Sequence, residues 1–330
     1  MTSELDNYKQ NRINEYVNIF NTSMRKLYYT SVSKINAVRR SRQRHIQKRE
    51  QINNLINLYY VNYNTLRFEL NKSVETIKNY IPKTLTINAN KKALLIGINY
   101  VGTQYELNGC VNDVNSIKDK IINDGFNDIT VLAEEKATKN NILKEITNLL
   151  INSQEGDLLF LSYSGHGSYD LDKNGDEKTG YDQLIVPYDF NMIVDDELKT
   201  IIQTHLKPNV TLFSMFDSCF SGSVLDLKYQ YMDSLDYDKY TENNKQLETK
   251  GNVFMISGCN DYQTSADAFI NNKYSGAMTW SLLEALKQKP ECSWRELVVN
   301  MRDLLKTSRF TQIPQFSCGT FENIDASVFI

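Results

Sequence analysis

Apolar side chains recur through the first 81 residues at steps of three and four. Ile13, Val17, Phe20, Met24 and Leu27 fall on one helical face, and Ile52, Ile56, Tyr59, Tyr63, Leu66 and Leu70 repeat the spacing. No Pro precedes Pro82 and no Gly precedes Gly97, so nothing in this stretch breaks a helix. The pattern predicts a helical hairpin, packed on itself or on a partner, with a basic run at 39–49 between its arms. From residue 91 the period changes. Continuous apolar runs at 93–98, 129–132, 158–163, 210–216 and 253–256 read as buried strands. Between and after them, 111–124, 138–151, 198–205 and 277–287 read as helices. Alternation of this kind predicts an α/β fold, a mainly parallel sheet flanked by helices. Chemistry in such sheets gathers at the carboxyl ends of the strands.

Composition narrows the class. Of 330 residues, 41% are apolar and only 14 are Gly and 5 Pro, which excludes a collagen-like, mucin-like or disordered chain. No apolar run approaches the roughly 20 residues that span a bilayer, and the polar start carries no signal-peptide core. A cytoplasmic protein without membrane association is expected. Five Cys without a C-x-x-C pair argue against a disulfide framework or a zinc ribbon. The net charge of -3 conceals a split: residues 1–90 hold 15 Lys/Arg against 6 Asp/Glu, and the remainder 22 against 34. Two units are therefore expected: a basic helical extension at 1–85, serving as a prodomain or interaction region, and an acidic α/β domain at 86–330. The basic run lacks interleaved aromatics, so self-association is the expectation for the extension and nucleic-acid binding is not.

Two strand ends stand out. Strand 158–163 runs into Ser164-Gly165-His166-Gly167-Ser168, and strand 210–216 into Asp217-Ser218-Cys219-Phe220-Ser221-Gly222. Glycines on both sides of His166 allow a sharp turn that leaves the imidazole exposed. Small residues follow Cys219, and their N–H groups can line an oxyanion site. An imidazole titrating near neutrality can deprotonate a thiol, and the thiolate is a strong nucleophile. Alone, a Cys reads as a small core residue and a His as a loop residue; paired on two strand ends, they point to catalysis. His166 lies 53 residues before Cys219, a separation similar to that in caspases.

The blocks Y-S-G-H-G-S at 163–168 and D-S-C-F-S-G at 217–222 resemble the two signatures of type I metacaspases. The resemblance extends over about 91–330 through L-N-G-C-V-N-D at 107–113, G-Y-D-Q-L-I-V-P-Y-D at 180–189, D-D-E at 195–197, V-L-D-L at 224–227 and S-G-C-N-D-Y-Q-T-S-A-D-A at 257–268. It implies a caspase-like cysteine endopeptidase with His166 and Cys219 catalytic and Gly167 and Cys219 forming the oxyanion site. The Cys219 block departs from the Q-A-C-x-G of true caspases, which points away from cleavage after Asp. The resemblance implies that Asp113 and Asp217 face the S1 pocket, where two carboxylates favour protein or peptide substrates with Arg or Lys at P1. Ser164, Ser257 and Asp267 fall at further substrate-binding positions. Asp182, Asp195, Asp196 and Asp226 fall at calcium-ligand positions, and carboxylate oxygens suit that ion. The N-terminal 90 residues do not resemble the family's Pro/Gln-rich prodomain.

Other features receive plainer readings. Asp170–Asp176 copies the start of an EF-hand loop but has Tyr181 where Glu is required, and is read as a polar turn. Cys110, Cys259, Cys292 and Cys318 are expected to pack as small apolar groups. The polar stretch 228–250, with four Lys, reads as an exposed self-processing loop. A calcium-dependent peptidase is the reading favoured over a silent caspase-like scaffold that binds basic peptides and oligomerises through its N-terminal helices.

Overall fold

The computed structural model describes residues 2–79, 90–172, 180–219, 221–231, 241–243, 246–258, 267–270, 273–320, 324 and 327–328. The chain divides into two compact units, Met1–Pro82 and Lys83–Ile330.

The first unit is two helices, α1 (Thr2–Arg40) and α2 (His45–Asn79). Lys9 Nζ donates to the Lys78 carbonyl at 2.9 Å, which brings the start of α1 to the end of α2. Phe20, Met24 and Leu27 are half-buried, as are Ile52, Tyr59, Tyr63, Leu66 and Leu70, whereas Val17 and Ile56 are exposed and Leu55 takes the inward place beside Ile52. Two helices cannot enclose a core, and of this unit's described residues only Ile77 is buried. The basic run has a local use: Lys48 Nζ donates to the Arg39 carbonyl at 2.9 Å, giving one of the last carbonyls of α1 a cationic partner.

The second unit is built on an eight-stranded sheet. In chain order its elements are β1 (Lys91–Gly97), α3 (Cys110–Asn123), β2 (Asp128–Ala133), α4 (Lys139–Ile151), β3 (Leu158–Ser164), β4 (Gly167–Leu171), β5 (Tyr181–Ile185), β6 (Ile193–Val194) and α5 (Asp195–His205). There follow β7 (Thr211–Asp217), β8 (Tyr229–Tyr231), β9 (Thr241–Glu242), β10 (Asn252–Ser257), β11 (Asp267–Ile270), β12 (Lys273–Gly276), α6 (Ala277–Gln288), α7 (Trp294–Thr307) and β13 (Gln315–Cys318). The sheet order is β2-β1-β3-β7-β10-β13-β8-β9. Its first five strands are parallel and the last three join antiparallel. β4, β5 and β6 form a separate small sheet, and β11 and β12 a hairpin.

Alternate residues of the parallel strands feed two cores. Ala93, Leu95, Phe213 and Met215 pack with Ile117 of α3, Leu282 of α6 and Met301 of α7. Leu94, Ile96, Leu212 and Phe216 pack with Ile146 of α4 and Ile202 of α5. Both faces are covered, which is why these strands read as continuous rather than alternating apolar runs. Three parts differ from the sequence pattern: the antiparallel edge, the small sheets and α7. Within the stretch 228–250, expected to be an exposed processing loop, β8 and β9 pair as strands, and Lys228 pairs with Glu242 and Glu248 at 3.7 Å each. Lys250 is exposed, while Lys239 and Lys245 lie outside the described residues.

Candidate active site

β3 and β7 are adjacent and in register, so Ser164 faces Asp217 at their carboxyl ends. The loops that leave them carry His166 and Cys219 from neighbouring strand tips. The two loops touch at the backbone: a Cβ on Gly167 would collide with the Cys219 carbonyl oxygen, so only Gly permits this approach. Cys219 is a half-exposed thiol outside any disulfide, while Cys110, Cys292 and Cys318 are buried thiols.

His166 Nε2 lies 2.7 Å from the Tyr105 carbonyl oxygen. A carbonyl only accepts, so Nε2 carries the proton and Nδ1 keeps the basic lone pair. The imidazole sits among aromatics, with ring centroids of Tyr100 at 4.8 Å and Tyr105 at 6.3 Å. Phe190 packs on both tyrosines.

Beside this pair lies a buried acidic base. Asp113, in the first turn of α3, is fully buried. Ser164 Oγ donates to it at 2.8 Å, Ser275 Oγ at 2.5 Å, and the Gly276 N–H reaches both of its oxygens at 3.0 Å. Asp217 is also buried and accepts from the Thr279 N–H and hydroxyl, each at 2.8 Å. The Thr279 amide belongs to the first turn of α6, whose unpaired N–H groups favour a negative charge. Gly276 wedges between the acids, since a Cβ there would strike the Asp217 carboxylate and approach Asp113 to 2.8 Å. Burial, reinforced by the charge of Asp217, pushes the Asp113 carboxyl up to about 7 despite these donors.

Ser164, Asp113 and Asp217 thus converge. Ser257 ends β10 beside Phe216, and its buried hydroxyl has no hydrogen-bond partner among the described residues. Asp267 begins β11, but its side chain lies outside the described residues. The sequence reading missed Ser275, Gly276 and Thr279, whose signal is a helix start after Gly, and Tyr100, Tyr105 and Tyr163, which read as ordinary core and rim residues.

The other acidic positions lie in a second region, where Asp182 and Asp226 act on Asp195 through their charge. Asp182, Asp195 and Asp226 are buried, and Asp196 is more exposed. Asp195 accepts from the Gln183 N–H at 2.7 Å and the Asp196 N–H at 2.9 Å. Burial first, then the charges of Asp226 and Asp182, pushes its carboxyl up to about 8. Lys199 Nζ reaches Asp226 at 3.3 Å and Asp196 at 3.4 Å. Crowded, buried carboxylates are donors that a hard cation would relieve, so the residues fit calcium by chemistry. Among the described residues no three acidic, His or Cys side chains are already gathered to hold a metal. Lys199 meanwhile supplies the positive charge. In the EF-hand-like turn, Asp170 pairs with Asp182 across β4 and β5, and residues 173–179 lie outside the described residues.

The family profile described as "Metacaspase, peptidase C14 domain" matches residues 91–228. Metacaspase-1 of Scheffersomyces stipitis is 34% identical over 288 residues, covering 70% of this chain and 71% of that protein. Metacaspase-1A of Aspergillus terreus is 37% identical over 285 residues, covering 69% and 70%. A crystal structure of a Geobacter sulfurreducens protein aligns with a TM-score of 0.54 at 26% identity, covering 71% of this chain and 95% of that one. Among the described residues no helix is long and apolar enough to cross a membrane. Strand order, the paired strand-end loops and these similarities converge: the chain belongs to the type I metacaspases, caspase-like cysteine peptidases.

Proposed function

We propose that this peptidase cleaves after Arg or Lys, uses His166 and Cys219 as its catalytic pair, and is activated by calcium. The observation that carries the specificity is the buried pair Asp113 and Asp217, held rigid by Ser164, Ser275, Gly276 and Thr279 beside the two catalytic loops. A cationic P1 side chain would neutralise that pair, whereas an acidic one would add a third negative charge. The Ser257 hydroxyl, without a hydrogen-bond partner among the described residues, would serve as a polar contact for the same side chain, and Asp267 is retained from the family positions.

In the reaction, Nδ1 of His166 takes the Cys219 proton and the thiolate attacks the scissile carbonyl. The Gly167 and Cys219 amides hold the developing oxyanion. The imidazolium then protonates the leaving amine, and water releases the acyl-enzyme. The Tyr105 carbonyl keeps the ring in the required tautomer throughout. Calcium, held by Asp182, Asp195, Asp196 and Asp226, would neutralise the acidic cluster. Residues 1–85 are proposed as the regulatory or self-associating extension.

Hydrolysis of matched peptides with Arg or Asp at P1, with and without calcium, tests the reading. Calcium-dependent turnover of the Arg peptide alone is expected. Equal turnover of both peptides would overturn the specificity, and equal rates in chelator would overturn the calcium requirement.

A further inference from the structure

His166 lies just outside β4, whose pairing with β5 ends at Gly167 opposite Ile185. One more main-chain bond, from the Val186 N–H to the His166 carbonyl at 3.1 Å, continues that pairing but leaves the His166 N–H unpaired by backbone, and two buried tyrosines meet it there. The Tyr100 hydroxyl accepts the His166 N–H at 3.0 Å and donates to the Val186 carbonyl at 2.5 Å. The Tyr163 hydroxyl accepts the Val186 N–H at 3.2 Å and donates to the His166 carbonyl at 2.7 Å. The two oxygens are 3.3 Å apart. Each hydroxyl owns one proton and two lone pairs, so this cross-tie uses each as donor and acceptor at once. The Val186 carbonyl, 3.0 Å from Tyr163, offers that proton a second acceptor within the same bracket.

Three further observations fit. Both tyrosines are fully buried. Burial raises both phenols above their ordinary value, so they remain proton donors at any working pH. Tyr100 also adopts a left-handed backbone (φ +54°), a strained conformation for this residue type that places its ring against the imidazole.

We infer that Tyr100 and Tyr163 are positioning residues: their hydroxyls fix the His166 backbone and so aim its imidazole at the Cys219 thiol. The inference rests on His166 acting as the base, and neither tyrosine touches substrate. Tyr100→Phe and Tyr163→Phe test it with an Arg-P1 peptide and with alkylation of Cys219 by iodoacetamide across pH, located by mass spectrometry. The expected loss is about 10- to 100-fold in kcat with KM changed by less than about twofold. The pH midpoint of alkylation should move up toward the ordinary thiol value of about 8.5, because a misaimed imidazole no longer stabilises the thiolate. A merely structural tyrosine would lower Tm and leave both readings unchanged below it.

Folded variants with wild-type kcat and alkylation midpoint would overturn the inference. Hydrogen exchange on the unmodified protein tests it even if the variants fail to fold. The His166 amide, which donates to Tyr100, should be protected, and exchange as fast as in the exposed segment around Glu106 would overturn it. His166→Ala separates the two claims: retained turnover sinks the base assignment itself. Abolished turnover alongside wild-type behaviour in both tyrosine variants sinks the bracket alone.

Discussion

The acidic base of the pocket should make Arg recognition depend on pH in a way that substrate chemistry can isolate. Asp113 is moved from an ordinary 3.8 to about 7, first by burial and then by Asp217. That displacement corresponds to on the order of 4 kcal/mol against ionising it in the unliganded protein. The sign follows from linkage. A carboxyl raised on folding contributes stability that is fully present below its unfolded value and lost as pH rises to about 7. Above about pH 7 the unliganded pocket therefore carries the whole cost of two buried negative charges. A guanidinium at P1 relieves it, and below about pH 7 the guanidinium must first displace a proton.

The assay compares two peptides that differ only at P1, Arg and its uncharged near-isostere citrulline. Taking the ratio of their kcat/KM values cancels the titration of the catalytic pair, which acts on both. The ratio should fall about tenfold for each pH unit below about 7 and level off above it. Asp113→Asn should lower the plateau and flatten the slope. A ratio independent of pH from about 5.5 to about 8.5 in the unmodified protein would refute the argument that a shared, partly protonated acidic pair reads the P1 cation.

Other perturbations probe separate parts of the site. Gly276→Ala should reduce kcat/KM on Arg peptides by at least about tenfold, since its Cβ would strike the Asp217 carboxylate; unchanged kinetics would show that the wedge is slack. Asp195→Ala together with Asp196→Ala should abolish calcium binding, read by calorimetry, and identical isotherms would place the ion elsewhere. Cys219→Ala should abolish turnover and also any calcium-triggered self-cleavage within 39–49 or 228–250. Intact mass decides the latter: fragments from the Ala variant would require a different nucleophile or a contaminating protease.

The parts of this fold legible in the sequence are those whose signal is local. Strands buried on both faces announce themselves as apolar runs, so β1, β2, β3, β7 and β10 emerge within a residue or two of their observed ends. The N-terminal hairpin follows from periodicity, with Val17 and Ile56 misplaced because several exposed apolar side chains dilute the stripe. The short antiparallel strands β8, β9 and β13 have no such signature, since two to four residues carry too little pattern. α7 had a usable mark that went unread: Ser293 and Glu296 form a capping box just before Leu297, Val298 and Met301.

The site divides along the same line. Gly-His-Gly and Asp-Ser-Cys are each contiguous, so a short window exposes both catalytic loops. The partners of the acids are not contiguous: Ser275 and Gly276 reach Asp113 across more than 160 residues, and Thr279 reaches Asp217 across 62. No window can contain such pairs; only the packing of α3, β12 and α6 around the end of β7 brings them together. α3 supplies one acid and β7 the other, while β12 and the start of α6 bind both within five residues. One chain reversal therefore sets the spacing of both charges relative to β7, and β7 in turn carries Cys219 just beyond its end. A P1 side chain seated on that pair would be registered against the nucleophile through Asp217, the last residue of buried β7 and only two residues before Cys219.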